Sequence, residues 1–247
     1  MATERIVATI EARMSSTRLP GKVLLPAMGQ PLLAHLLRRL RSVPSLDDVI
    51  LATTSSAADD VLADFAEKHG LGCFRGSEDD VMGRVAAAAS FARADVVVET
   101  TGDNPIIDPE IIETVVRTFL ANDADYVSNT HVKSFPDGMD VQVFRLSTLE
   151  HSASMTDSQL DREHVTLHMR MHPELFKAIH VVAPPHLHWP ELSVTLDESG
   201  DYELIRRIVE TLHPVNPLFG CAEIMNVVRH NPGWLELNRA VARKGDS

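Results

Sequence analysis

The sequence predicts an α/β protein with a Rossmann-like, doubly wound mixed sheet. Short apolar runs of strand type alternate with longer amphipathic segments through the first half of the chain. The chain has 247 residues, of which 44% are hydrophobic, which is enough for one large domain. No flexible linker interrupts it. Strands separated by helices favour a mainly parallel sheet that is covered on both faces. We therefore expect one domain over 1–247, with an irregular insertion at 130–180 after the central strands.

The first half of the chain carries the clearest signals. Apolar, β-branched runs predict strands at 6–10, 49–54, 96–101 and 125–129. Pro31 opens a helix with leucines at helical spacing, because proline is favourable in the first turn. The other helices are predicted at 57–69, 79–94 and 108–122. Gly70 ends the first of these, Asp79 and Asp80 suit the start of the second, and Asp108 with Pro109 begins the third.

The second half is less regular. Strands are predicted at 138–144, 176–182 and 192–195. Helices are predicted at 146–155, 162–171, 201–212, 222–229 and 234–243.

Composition excludes several classes of protein. The chain carries 23 basic and 35 acidic residues, a net charge of −12, and only 5% aromatic residues, which argues against nucleic acid as a partner. Two cysteines, Cys73 and Cys221, cannot form a disulfide framework or a Cys-based zinc site. No apolar run approaches the ~20 residues that span a bilayer, and the N-terminus lacks a signal-peptide pattern. We expect a cytoplasmic protein with no membrane partner.

The loop after the first strand is the strongest functional signal. Residues 12–22 read ARMSSTRLPGK and place Arg13, Arg18 and Lys22 together with hydroxyls and Gly21. Ligands bind in open α/β sheets at the carboxyl ends of the strands. Guanidinium groups bind phosphate oxygens in pairs, and lysine adds a point charge. The loop therefore predicts a polyphosphate site. It is not a P-loop, because Val23 stands where Ser or Thr is required.

Two aspartates are candidates for a magnesium site beside this loop. Asp103 follows the strand at 96–101, and Asp197 follows the short apolar run at 192–196. Mg²⁺ takes one or two carboxylates together with phosphate oxygens and water. Glu198 and Asp201 compete with Asp197 for the second position, and Gly-Asp-Asn-Pro is also good turn chemistry. Three histidines at 164, 168 and 172 have helical spacing, but they lack an HExxH pattern, so surface or interface roles are favoured over zinc.

A family resemblance spans residues 5 to about 210. The segments that carry it, in order, are ARMSSTRLPGKVLLPAMGQPLL, RGSEDDVMGRV, TGDNPIIDP, FPDGMDVQVF and DREHVT. The chain resembles the cytidylyltransferases of the CMP-sugar synthetase type, which activate Kdo and sialic-acid-like sugars. It is most similar to the branch named for spore coat polysaccharide biosynthesis. The resemblance implies a nucleotide-diphospho-sugar-transferase-like fold, CTP and Mg²⁺ as ligands, an acidic sugar as acceptor, and a homodimer through residues 130–180.

The resemblance also implies roles for individual residues. Catalytic roles fall on Arg13, Lys22 and Asp103, and metal binding falls on Asp103 and Asp197. Nucleotide contacts are implied at Ala12, Arg13, Ser16, Arg18, Lys22, Arg75, Ser77, Asp80 and Gly102. Acceptor contacts are implied at Asp137, Asp140, Arg162 and His164.

The chain departs from the family pattern at two places. Relatives have Asp-Thr-Pro where the chain has Asp197-Glu198-Ser199-Gly200, and many have a basic residue where it has Glu99. The function expected is transfer from CTP to an acidic sugar with release of pyrophosphate, for cell-surface polysaccharide synthesis. An enzyme that uses another NTP or a non-sugar acceptor, and a catalytically inactive nucleotide-binding protein, are the alternatives.

Overall fold

A seven-stranded sheet forms the centre of the molecule. The computed structural model describes residues 4–241. The sheet strands are β1 (Ile6–Glu11), β4 (Asp48–Thr54), β5 (Gly72–Gly76), β6 (Val96–Thr101), β7 (Tyr126–Ser128), β8 (Gln142–Arg145) and β9 (Ala178–His180), and a small hairpin holds β2 (Pro26–Ala27) and β3 (Gln30–Pro31). The order in the sheet is β5-β4-β1-β6-β8-β7-β9. Only β8 is antiparallel to its neighbours, so the predicted mixed, mainly parallel sheet is confirmed.

Helices cover both faces of the sheet. They are α1 (Leu32–Leu40), α2 (Asp60–Lys68), α3 (Val81–Phe91), α4 (Pro109–Leu120), α5 (Leu146–Ser154), α6 (Gln159–Glu163), α7 (Leu167–Met171), α8 (Ser199–Leu212) and α9 (Cys221–His230). The apolar residues of α1, α2, α4, α8 and α9 form one buried core, and those of α3, α5 and α7 form another. The alternating side chains of β1 divide accordingly, with Ala8 in the first core and Val7 in the second.

The register of β1 and β6 creates the functional edge. Glu11 lies opposite Thr101, so the two strands end side by side. The chain then continues into the basic loop from β1 and into Gly102-Asp103 from β6. The predicted helix start at Asp108 is also present: its carboxylate accepts hydrogen bonds from Glu110 N at 2.8 Å and from Cys221 N at 2.7 Å.

Several predicted elements differ in the structure. The helix predicted at 162–171 breaks into α6 and α7, because His164 has ψ 49° and leaves the helical region. The predicted strand at 192–195 makes only an isolated bridge, between Asp137 and Ser193. The helix predicted at 234–243 is a 3-10 helix at Pro232–Leu237, and residues 242–243 lie outside the described residues. Strand β5 was not predicted, since it lies at the sheet edge with no buried residue.

The stretch 130–180 is built into the sheet. It contributes β8, which lies between β6 and β7, and the edge strand β9. Its helices α5 to α7 lie between these two strands in the sequence. None of the described helices is long and apolar enough to cross a bilayer.

Candidate active site

A cleft of about 250 Å³ opens where β1 and β6 end. It is lined by Glu11, Ala12, Arg13, Ser16, Thr17, Arg18, Lys22, Val81, Arg84, Thr101, Asp103, Glu163, His164 and Asp197. The basic loop and both candidate metal-binding aspartates therefore share one cleft, although they lie far apart in the sequence.

Cations and carboxylates meet directly inside this cleft. The Nζ atom of Lys22 lies 3.2 Å from Asp103 Oδ2 and 3.1 Å from Asp197 Oδ1. Arg18 contacts the same Asp197 oxygen at 2.8 Å. The Lys22 side chain is only 13% exposed, so its charge acts largely out of bulk water.

The backbone around Asp103 is held by both neighbouring segments. Gly102 N donates to Glu11 O at 2.8 Å, and Leu196 N donates to Asp103 O at 2.8 Å. The Thr101 hydroxyl donates to Asp103 Oδ1 at 2.5 Å. A Cβ at Gly102 would lie 3.1 Å from Glu11 O, so glycine allows the two strand ends to approach closely. Asp103 is thereby fixed against both β1 and the segment that leads to Asp197.

The basic loop is closed on itself by backbone contacts. Gly21 has φ +70°, and its N–H donates to Met14 O at 3.0 Å. Met14 N donates to Asp59 Oδ1 at 2.7 Å, and the Asp59 side chain is buried. The left-handed turn at Gly21 starts the 3-10 helix Lys22–Leu24 and directs Lys22 into the cleft.

Arg13 lies at the outer side of the cleft. Its guanidinium contacts Glu78 Oε1 at 3.1 Å, and the Ser15 hydroxyl donates to the same oxygen at 2.7 Å. Both partners of this ion pair are more than 40% exposed, so the contact is weak and an incoming anion can replace it.

The geometry favours Asp197 over Glu198 and Asp201 as the second metal-binding carboxylate. The Asp201 carboxylate accepts hydrogen bonds from Asp197 N at 3.0 Å and Glu198 N at 2.8 Å, and its other oxygen accepts one from Asn238 at 2.9 Å. Glu198 and Asp201 form the capping box of α8. Both are engaged in starting a helix, and only Asp197 is directed at Lys22.

The donor set at Asp103 and Asp197 suits a hard divalent cation. Both carboxylates already surround a positive charge, the Lys22 ammonium group, and both are oxygen donors. Among residues 4–241, no group of three or more His, Cys, Asp or Glu side chains is arranged to hold a metal by itself. Such a site fits Mg²⁺ bound by two carboxylates and completed by phosphate oxygens and water.

Two neighbouring acids lie at the base of the cleft, the half-buried Glu11, which lines it, and the buried Glu99. Burial and the neighbouring Glu99 hold the pKa of Glu11 well above its ordinary value. Burial also raises the pKa of Glu99, which accepts a hydrogen bond from the Gln142 amide. Arg84 is buried beside Glu11, and burial lowers its pKa. The site therefore has a proton-holding acid pair in its floor.

Three predicted nucleotide contacts are engaged in local structure. Arg75 donates to Thr54 O at 3.0 Å and to Ser56 O at 2.7 Å. Ser77 accepts a hydrogen bond from Asp80 N at 3.1 Å, and Asp80 caps α3 through Gly83 N at 2.9 Å. Arg75, Ser77 and Asp80 do not line the cleft in this structure.

The predicted acceptor residues are divided between two places. Asp137 and Asp140 lie in a larger cavity of about 680 Å³, with Asn129, Lys133, Trp189 and Arg239 among its lining residues. His164 lines the smaller cleft. Arg162 donates to Ala153 O at 2.6 Å and Thr156 O at 3.0 Å, so its guanidinium holds the chain between α5 and α6. It lines neither cavity.

Sequence reasoning missed several residues of the cleft, above all Glu11 and Arg84. A usable signal existed for Glu11, because an acid at the end of an apolar strand is costly to bury without a purpose. Arg84 lies within the segment RGSEDDVMGRV, but helical spacing alone did not distinguish it from a solvated residue.

Comparisons with known proteins identify the family of the chain. A family model described as cytidylyltransferase matches residues 7–212. The spore coat polysaccharide biosynthesis protein SpsF of Bacillus subtilis is 32% identical over 232 residues, covering 92% of this chain and 95% of SpsF. A cytidylyltransferase structure from Leptospira borgpetersenii is 30% identical, with a TM-score of 0.90 and coverage of 98% and 100%.

A more distant structure supports the fold. It is a CMP:2-keto-3-deoxy-manno-octonic acid synthetase complexed with CTP, with 18% identity, a TM-score of 0.63, and coverage of 84% of this chain and 99% of its own. The nucleotide-diphospho-sugar-transferase-like fold expected from the sequence is confirmed.

Proposed function

Because this chain belongs to the cytidylyltransferase family, we propose that it transfers the cytidylyl group of CTP to a sugar hydroxyl and releases pyrophosphate. The observation that carries the proposal is the convergence of Lys22 and Arg18 on Asp103 and Asp197 in the cleft that Arg13 also lines. Three cations suit the phosphate oxygens of a triphosphate, and two carboxylates suit a magnesium ion. Together they fit a triphosphate with bound Mg²⁺ better than they fit a triphosphate or a metal ion alone.

The proposed roles follow from the contacts. Arg13, Arg18 and Lys22 bind the triphosphate oxygens and stabilise the negative charge that spreads over them in the transition state. Ser16 and the backbone of Ala12 support the nucleotide from the same loop. Asp103 and Asp197 would hold Mg²⁺, which supplies charge neutralisation at the α-phosphate when it is bound.

The attacking group is a hydroxyl of the acceptor. Its oxygen attacks the α-phosphorus in line with the bond to pyrophosphate, and no covalent enzyme intermediate is required. The larger cavity, which contains Asp137 and Asp140, is the proposed acceptor site. His164 lines the smaller cleft, which is proposed to bind the nucleotide. The proposed acceptor is an acidic sugar, either 2-keto-3-deoxy-manno-octonic acid, for which one structural neighbour is named, or a sialic acid, which the family resemblance implies.

A second candidate is an acceptor without a carboxylate. The guanidinium of Arg162, one of the expected acceptor contacts and the one basic side chain among them that is always charged, is engaged with backbone carbonyls. The larger cavity is also lined by more acids than bases, namely Asp137, Asp140, Glu191 and Glu236 against Lys133 and Arg239. This lining favours hydroxyl or amino groups over a second negative charge.

We further propose a homodimer and a cytoplasmic location. Six large apolar side chains are exposed within or beside the stretch 130–180, at Val132, Met155, Leu160, Met171, Leu175 and Val182. Clustered exposed apolar residues favour an interface, and closed twofold dimers are the commonest assembly. Both Cys73 and Cys221 are free thiols, which suits a reducing compartment.

The test is pyrophosphate release by the purified chain. CTP, UTP, ATP and GTP are each supplied with Mg²⁺ and an acceptor panel of 2-keto-3-deoxy-manno-octonic acid, a sialic acid, and uncharged and amino-bearing hexoses. The proposal expects release with CTP and at least one sugar. Binding of CTP without release from any combination would instead support a nucleotide-binding protein, and preference for another base would correct the nucleotide.

A further inference from the structure

Asp140 has a setting that its predicted role as a mere acceptor contact does not explain. It lies on the wall of the larger cavity, and no basic side chain among residues 4–241 forms an ion pair with it. Leaving a carboxyl group in a largely enclosed place without a cation is costly. The energy that this arrangement costs suggests that the group is needed for chemistry.

The backbone on both sides of Asp140 is fixed by one buried residue. Asn129 Nδ2 donates to Met139 O at 2.6 Å, and Asn129 Oδ1 accepts from Val141 N at 2.8 Å. Asn129 is only 3% exposed. A single amide thus holds the residue before Asp140 and the residue after it, which is a rigid support for a reacting group.

Asp140 lies close enough to the nucleotide cleft to respond to its charges. Strand β8 runs antiparallel to β6, with Gln142 opposite Glu99. Asp140 lies two residues before the start of β8, and the charges of Asp103 and Glu99 act on it. Asp140 therefore lines the larger cavity and lies within electrostatic range of Asp103 in the nucleotide cleft.

Burial and acidic neighbours together bring the pKa of Asp140 close to neutral pH. Burial, followed by the charges of Asp137, Asp103 and Glu99, raises the pKa of Asp140 to about 7. The other charged groups on the same cavity wall are Lys133, Glu191, Glu236 and Arg239. A general base works best when its pKa lies near the working pH.

We infer that Asp140 is the general base of the reaction, which rests on the proposed function of the site. An oxygen of its carboxylate takes the proton of the acceptor hydroxyl as that oxygen forms its bond to the α-phosphorus of CTP. The bond between the α-phosphorus and the bridging oxygen breaks, and pyrophosphate leaves with the electron pair. The proton stays on Asp140 and passes to water through the open cavity.

The test compares wild type with Asp140→Asn and Asp140→Glu, using CTP, Mg²⁺ and the best acceptor of the panel above. Because asparagine cannot accept the proton, we expect kcat of Asp140→Asn to fall roughly 10²–10⁴-fold. The affinity for CTP, measured by calorimetry, should stay unchanged, which also reports that the variant is folded. Asp140→Glu should restore part of the rate. The acid limb of the wild-type pH–rate profile near pH 7 should disappear in Asp140→Asn and move in Asp140→Glu.

Each outcome separates this inference from the proposed function. Release of pyrophosphate by Asp140→Asn at the wild-type rate, with the wild-type pH profile, overturns the role of Asp140 and leaves the proposed function standing. A lower affinity for the acceptor with unchanged kcat also overturns it, since Asp140 would then only bind. Absence of release by wild type with every acceptor overturns the proposed function and this inference together. If Asp140→Asn does not fold, a wild-type profile without an acid limb near pH 7 overturns the inference, and a limb that moves in Asp140→Glu supports it.

Discussion

Replacement of Lys22 by alanine is the perturbation with the most direct consequence. The Lys22 Nζ atom contacts both Asp103 and Asp197, at 3.2 and 3.1 Å, and the side chain is 13% exposed. At an effective dielectric constant of about 20, unit charges about 4 Å apart interact by on the order of 4 kcal/mol. A preorganised donor at a developing charge contributes about 3–4 kcal/mol. The two figures agree on the size of effect to expect.

The expected result of Lys22→Ala is therefore a large loss of rate with little loss of stability. A change of about 3–4 kcal/mol in transition-state stabilisation lowers kcat/KM roughly 10²–10³-fold. After the loss of Lys22, Asp103 is still 31% exposed to water and Asp197 keeps its contact with Arg18, so the cost should be about 1 kcal/mol of unfolding free energy. That change would lower Tm by about 2–4 °C for a chain of this size.

The assay is pyrophosphate release over a range of CTP concentrations at saturating Mg²⁺ and acceptor, which gives kcat/KM for CTP, with Tm measured on the same samples. Lys68→Ala is the matched control, because Lys68 is an exposed lysine at the end of α2 and does not line the cleft. Turnover by a folded Lys22→Ala protein at the wild-type rate would refute the reasoning, since the triphosphate would then not depend on this charge. An equal loss in Lys68→Ala would mean that the effect is not local.

Three further predictions follow from the same structure. Asp103→Asn should raise the Mg²⁺ concentration that gives the half-maximal rate by at least about 10-fold. Asp64→Asn is the control, since Asp64 is exposed, and should leave that concentration unchanged. The same half-maximal Mg²⁺ concentration in both variants would contradict the metal site. At pH values above 4.5, the ordinary pKa of a glutamate, Glu11 keeps its proton in the folded protein and has lost it in the unfolded chain. The unfolding free energy should therefore fall, by up to about 1.4 kcal/mol per pH unit, as pH rises toward the raised pKa. Glu11→Gln should flatten that slope and stabilise the protein at pH 8 in denaturant unfolding, and an unchanged slope would show that the acid is not protonated when folded. Gly138→Ala should cost about 1–3 kcal/mol, since Gly138 has φ +101° and a Cβ would lie 2.8 Å from the facing backbone. Gly233→Ala meets no such obstacle, so equal denaturation midpoints for the two variants would argue against this strain.

Local signals predicted the strands and helices of the first half well. The apolar runs that became β1, β4 and β6 are buried on both faces, which makes them continuous and easy to recognise. Asp108 with Pro109 predicted the start of α4 because capping depends on neighbouring residues only. These elements follow from interactions within a few residues of sequence.

Elements that depend on distant partners were harder to predict. Strand β5 is a partly exposed edge strand, and its only partner in the sheet is β4. The run 192–195 looks like a strand, but its backbone bonds to the single residue Asp137, through Asp137 N to Leu192 O and Val194 N to Asp137 O, and not to a neighbouring strand. Apolar periodicity does not report such pairings, because they form between segments far apart in the chain.

In the candidate site, too, some positions could be predicted from the local sequence and others depend on segments far apart in the chain. The positions of Arg13, Lys22 and Asp103 at strand ends followed from the rule that parallel strands end at one edge. The engagement of Arg75 and Arg162 with backbone carbonyls could not be predicted, since an arginine in a motif looks the same whether it faces a ligand or a carbonyl group. The acid pair of Glu11 and Glu99 arises from two strands that only the folded sheet brings together.

The most direct measurement is a crystal structure of the chain with CTP and Mn²⁺, with anomalous scattering used to locate the metal. The account predicts a manganese peak between the carboxylates of Asp103 and Asp197, with the triphosphate oxygens against Arg18 and Lys22. A triphosphate bound away from these cations, or a metal that contacts neither aspartate, would contradict it.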